Sequence, residues 1–136
     1  MDELYQAQIL ALARVARSHV PLAHPSHHAT VKNPLCGDEI SLTLTLSAEI
    51  ICDLHIAVKG CALCEAGAGF LLEQAKGAKL SDVTALHSAL EGFLKASDTG
   101  DSKSIFSPFT PLRAVKNRHK CVMLAFQACQ NLTAIS

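Results

Sequence analysis

From Ile40 the chain alternates, with Ile40, Leu42, Leu44 and Leu46 apolar and Ser41, Thr43, Thr45 and Ser47 polar. A period of two is the signature of a half-buried strand. Residues 50 to 58 repeat the pattern, with Ile50, Cys52, Leu54, Ile56 and Val58 in one phase. The short gap at Ala48–Glu49 predicts an antiparallel hairpin. A short edge strand is expected near Ala29–Lys32, so the sheet occupies about 29–59 and is covered on one face only.

The rest of the chain has the period of helices. Tyr5, Ile9, Leu12, Ala16 and Val20 recur at helical spacing over about 3–20, with Asp2 placed to cap, and Pro21 and Pro25 stop the run. "CALCEAGAGFLLEQAKG" predicts a helix over about 62–76 that ends at Gly77. Ser81 is placed to cap another over about 81–95, striped by Val83, Leu86, Leu90 and Phe93. Both are expected to pack on the sheet. "KASDTGDSKS", residues 95 to 104, is a polar surface loop, and "IFSPFTPLRAV" leads back to the core. A last helix over about 121–133 places Val122, Ala125, Cys129 and Leu132 on one face. With 136 residues and no internal repeat, one domain over 1–136 is the expectation.

Charge removes some partner classes. Lys and Arg number 12 and Asp and Glu 12, so no long-range field points toward nucleic acid or an anionic membrane. Apolar runs fall short of the roughly 20 residues of a membrane helix, and "MDELYQAQ" is acidic where a secretion signal would be basic. These features predict a soluble cytoplasmic protein. Its 6 cysteines are then expected to be reduced: core hydrophobes, metal ligands or reactive thiols.

Cys52 and Cys129 lie in phase with apolar faces and are expected in the core. Cys36, Cys61 and Cys121 instead sit at junctions between elements. Sulfurs at element ends can converge, and helix N-termini with nearby cations favour the nucleophilic thiolate. Adding the carboxylate of Asp38 makes a four-point site, suited to zinc or an iron–sulfur cluster by its thiolates and to exchange by its harder, more easily displaced oxygen donor. Spacing alone leaves this open, since the intervals match no zinc ribbon. His24, His27 and His28 lie in a proline-broken stretch and read as solvated loop residues.

Three motifs then matter together. "NPLCGD" (33–38), "GCALCEAGAG" (60–69) and "RHKCVMLAF" (118–126) resemble, in order, the cysteine motifs of the U-type iron–sulfur cluster assembly proteins, the IscU and SufU family that includes the N-terminal domain of NifU. The resemblance runs from about His24 to Leu132. It implies an α+β fold with a three-stranded antiparallel sheet and helices on one face. It implies that Cys36, Asp38, Cys61 and Cys121 bind zinc or a transient [2Fe–2S] cluster, and that the partners are a cysteine desulfurase and downstream iron–sulfur acceptor proteins. The insertion around 95–111, the Arg118-x-x-Cys121 spacing, Lys120 before the final cysteine and the lack of a Leu-Pro-Pro-Val-Lys segment resemble the SufU branch, a zinc-dependent sulfurtransferase, more than the scaffold branch.

The implied chemistry is a sulfur relay, with Cys36 as first choice of persulfide acceptor and Cys121 second. Arg118 would steady the anionic site, Lys116 or Lys120 would meet the partner, and His119 is an alternative ligand or an exposed histidine. Two other readings compete. Cys61-x-x-Cys64 at a helix start has the form of a dithiol redox pair, although no thioredoxin-like unit surrounds it and Cys64 is equally suited to pack as a small residue. The third is an interaction module with structural zinc, against which Asp38 argues. The small residues at 66–69 suggest close backbone packing.

Overall fold

The computed structural model describes residues 3–17, 20–34, 37–96 and 104–135. Asp2, Cys36 and most of the polar 95–104 loop lie outside that set, so the expected helix cap and the first cysteine have no structural account. Three strands follow the first helix: α1 (Glu3–Arg17), β1 (His27–Asn33), β2 (Asp38–Ser47) and β3 (Ile50–Lys59). Then come α2 (Ala62–Ala75), α3 (Leu80–Lys95), a 3₁₀ segment at Ser107–Ala114 with a second at Lys116–Arg118, α4 (His119–Gln130) and β4 (Thr133–Ala134).

The sheet is antiparallel, ordered β3-β2-β1-β4, and has four strands where three were expected. β4 is the addition: its two residues pair with His27 and His28 of β1. His27 and His28 therefore belong to a strand and not to a loop. No helix among the described residues is long and apolar enough to cross a membrane.

β2 alternates as its sequence predicts, burying Asp38, Ile40, Leu42 and Leu44 on the covered face. Ala48 (φ 51°) and Glu49 (φ 68°) form the hairpin turn with two consecutive left-handed residues, the backbone twist that short hairpins prefer. The phase of β3 breaks near its start. Thr45 faces Asp53 but Leu46 faces Ile51, which leaves Cys52 as the extra residue of a β-bulge. Ile51 is thereby buried and Cys52 exposed, so Cys52 does not join the core as expected.

α2 and α4 cover the sheet, while α3 packs on α4 and on the 3₁₀ segment instead of on the strands. α1 lies along α2, with Arg17 Nε 3.3 Å from Glu65 Oε2. A β-carbon at Gly67 would collide with the Val122 carbonyl of α4, and one at Gly69 with the Leu12 carbonyl of α1. The expected close packing around 66–69 therefore has both helices as its neighbours. Phe70 joins Phe106, Phe109 and Phe126 at centroid distances of 5.3 to 5.9 Å. Arg113 donates to the Phe93 carbonyl at 2.8 Å and lies 4.0 Å over that ring, fastening the 3₁₀ segment to α3. The boundaries shift a little from the periodicity: Val20 lies beyond α1 and is exposed, Lys79 rather than Ser81 occupies the cap of α3, and α4 begins two residues before Cys121.

Candidate metal and thiol site

β1 ends at Asn33, and Gly37 N–H donates to the Asn33 carbonyl at 2.8 Å to close the turn into β2. Asn33 and Asp38 are partners in the β1–β2 register. Because Asp38 falls on the covered phase of β2, its carboxylate points the same way as Ile40 and Leu42 and is only 6% exposed. A charge in that row is costly unless a partner compensates it. Space for it comes from Gly60: an added β-carbon would stand 2.7 Å from Asp38 Cγ and 2.8 Å from Oδ1.

The sulfurs arrive from two helix starts. Cys61 is the N-cap of α2, in extended conformation, with its carbonyl accepting from Glu65 N–H at 3.1 Å. Its Sγ donates to Asp38 Oδ2 at 3.7 Å. Cys121 lies in the first turn of α4 and is 2% exposed. One ligand atom from each of Asp38, Cys61 and Cys121 lies within 4.8 Å of the others. Two sulfurs and a carboxylate oxygen at that separation can share one metal ion.

Other sequence candidates fall elsewhere. Cys64 is fully buried in the core and Cys129 almost so. Burial pushes the Cys129 thiol from 9.0 up to about 12, making it an inert core residue. The interior placement of Cys64 matches the packing reading. His119 donates its Nε2–H to the Leu112 carbonyl at 2.7 Å, so it is neither a plain exposed histidine nor a member of the convergent group. Arg118 is exposed on the short 3₁₀ turn. The role of Gly60 in making room for Asp38 escapes sequence reasoning, because a glycine before a helix carries no mark of the side chain it accommodates.

Residues 4–105 match the NifU-like N terminal domain. The zinc-dependent sulfurtransferase SufU of Bacillus subtilis (strain 168) is 25% identical over 133 residues, covering 96% of this chain and 89% of its own. The iron–sulfur cluster assembly scaffold protein IscU of Thermotoga maritima is 30% identical over 101 residues, or 71% of this chain and 68% of that one. Among solved structures, a NifU-like N-terminal protein from Brucella abortus superposes with a TM-score of 0.79 at 29% identity, covering 93% of this chain and 90% of that one. A SUF-system scaffold protein from Fervidobacterium islandicum gives the same TM-score of 0.79 at 20% identity over 96% and 93% of the two chains, a likeness of fold.

Proposed function

Because the chain belongs to the NifU-like N-terminal domain family, we propose that it accepts persulfide sulfur from a cysteine desulfurase during iron–sulfur cluster assembly. The observation that carries this reading is the convergence of Asp38, Cys61 and Cys121 within 4.8 Å. Cys36, two residues before Asp38 in the sequence, is the proposed third sulfur of the set. Likeness along nearly the whole chain to a zinc-dependent sulfurtransferase favours zinc as the resident ion. The donor set of three thiolates and one carboxylate suits it.

When bound, zinc holds cysteine sulfur deprotonated at neutral pH. The chain's own groups do the rest. Cys61 and Cys121 are fixed by their helix starts, and Asp38 presents the harder donor, the one a visiting group replaces most readily. The Cys36 thiolate attacks the outer sulfur of the donor's persulfide. A new Cys36 S–S bond forms, the donor's S–S bond breaks, and the donor cysteine leaves as thiolate, so electrons balance without an external reductant. Downstream iron–sulfur proteins would consume the sulfur. Assembly of a [2Fe–2S] cluster on the same thiolates is the second reading, supported by likeness to the scaffold of T. maritima.

Mixing the protein with a pyridoxal-phosphate cysteine desulfurase and L-cysteine tests the relay by alanine release. Wild type should stimulate turnover, while Cys36→Ala should abolish stimulation and Cys121→Ala should reduce it strongly. Full stimulation by both variants would end the relay reading. Elemental analysis with an absorption spectrum of anaerobically purified protein separates zinc without visible bands from a coloured iron cluster.

A further inference from the structure

A cleft lies between α3 and α4. It consists of two adjoining cavities of about 390 and 560 Å³ that share Glu91, Lys120 and Met123. The protein as a whole is electrically neutral, with Lys plus Arg and Asp plus Glu both at 12. The cleft is not: among the described residues, Lys32, Lys95, Arg113, Lys116 and Lys120 line it against one carboxylate, that of Glu91. Of these cations, Lys32 pairs with Glu39 at 3.6 Å, Lys95 with Glu91 at 3.7 Å, and Arg113 is held against Phe93. Lys116 and Lys120 are exposed and make no salt bridge among the described residues.

Leu94, Met123 and Leu124 give the cleft an apolar floor beneath that charged rim. One end reaches Asn33 and Pro34, on the turn that leads to Cys36, and Lys120 is the neighbour of Cys121. We infer that this cleft is the docking groove for the sulfur donor, and that it receives an acidic segment of that protein carrying an apolar side chain between its carboxylates. Carboxylates meet Lys116 and Lys120, the apolar side chain covers Met123 and Leu94, and the donor's persulfide-bearing cysteine is aligned at the Pro34 end. Opposite charge on a groove rim mainly raises the rate of productive encounter and fixes orientation. The inference rests on the sulfur-relay reading and deepens it.

Lys116→Glu and Lys120→Glu, each checked for unchanged zinc content, are compared with Lys79→Glu, which makes the same charge change at the N-cap of α3. In the desulfurase assay the two cleft variants should raise the apparent KM for this protein about tenfold with kcat retained, and salt should weaken the wild type in the same way. Carbodiimide coupling of the wild-type complex, which joins amines to carboxylates in contact, should link Lys116 and Lys120 to donor Asp or Glu residues. Cleft variants with the KM of Lys79→Glu, or coupling confined to other lysines, would overturn the docking groove and leave the relay standing. Failure of the wild type to stimulate any desulfurase would overturn both.

Discussion

Gly60 stands so close to Asp38 that a single added methyl group would lie 2.7 Å from the carboxyl carbon. The contact is with a short side chain fixed on a strand, so neither partner has much freedom to yield. Gly60→Ala is expected to leave the fold intact at a cost of about 1–3 kcal/mol and to turn the carboxylate away from the two sulfurs. Thermal melts with and without zinc check this, because the stabilisation added by zinc should shrink well below that of the wild type.

Removing the carboxylate itself should have opposite effects with and without metal. In metal-free protein Asp38 is a buried acid on the apolar face of β2, so Asp38→Ala should be neutral or stabilising. With zinc the same variant should bind at least about 100-fold more weakly, since even groups that only support a ligand are worth 10–100-fold. Competition against a zinc chelator reads the affinity, and denaturant unfolding of the apo form reads the first effect.

The bulge in β3 separates two neighbouring residues energetically. Ile51→Ala should cost about 2–5 kcal/mol, because Ile51 is fully buried, whereas Cys52→Ser, at an exposed position, should stay within about 0.5 kcal/mol. Thiol alkylation of the folded protein should modify Cys52 readily and leave Cys64 and Cys129 untouched until denaturant is added.

Cys129 links stability to alkaline pH. Burial raises its thiol from 9.0 to about 12, so between those values the folded state holds a proton that the unfolded state has lost. Its contribution is complete below pH 9 and declines as pH rises toward 12, by at most about 1.4 kcal/mol per pH unit. Urea unfolding from pH 8 to 11 should show a shallower decline in Cys129→Ala than in the wild type.

How much of this was legible varies by element. The alternation of β2, the hairpin at Ala48–Glu49 and the stripe of α3 could be read directly, because each side of those elements meets one kind of environment. Cys52 could not, since a bulge reverses the phase of a strand without altering its composition. β4 was hidden by its length of two residues, too short for any period, and the stacking of α3 on α4 was hidden because an apolar stripe does not name its neighbour. Asp38, Cys61 and Cys121 were reached through their motifs. Distances along the chain say nothing of a meeting that depends on a strand end and two helix starts.

β4 has a mechanical consequence for the far end of the molecule. Thr133 and Ala134 are stitched to β1, and Ile135 N–H bonds the Ser26 carbonyl at 2.8 Å, so the tail of α4 is moored to the sheet just after the helix ends. Sliding α4 along its axis would tear that seam. Cys121, at the opposite end of the same rod, is therefore held against movement along the helix axis.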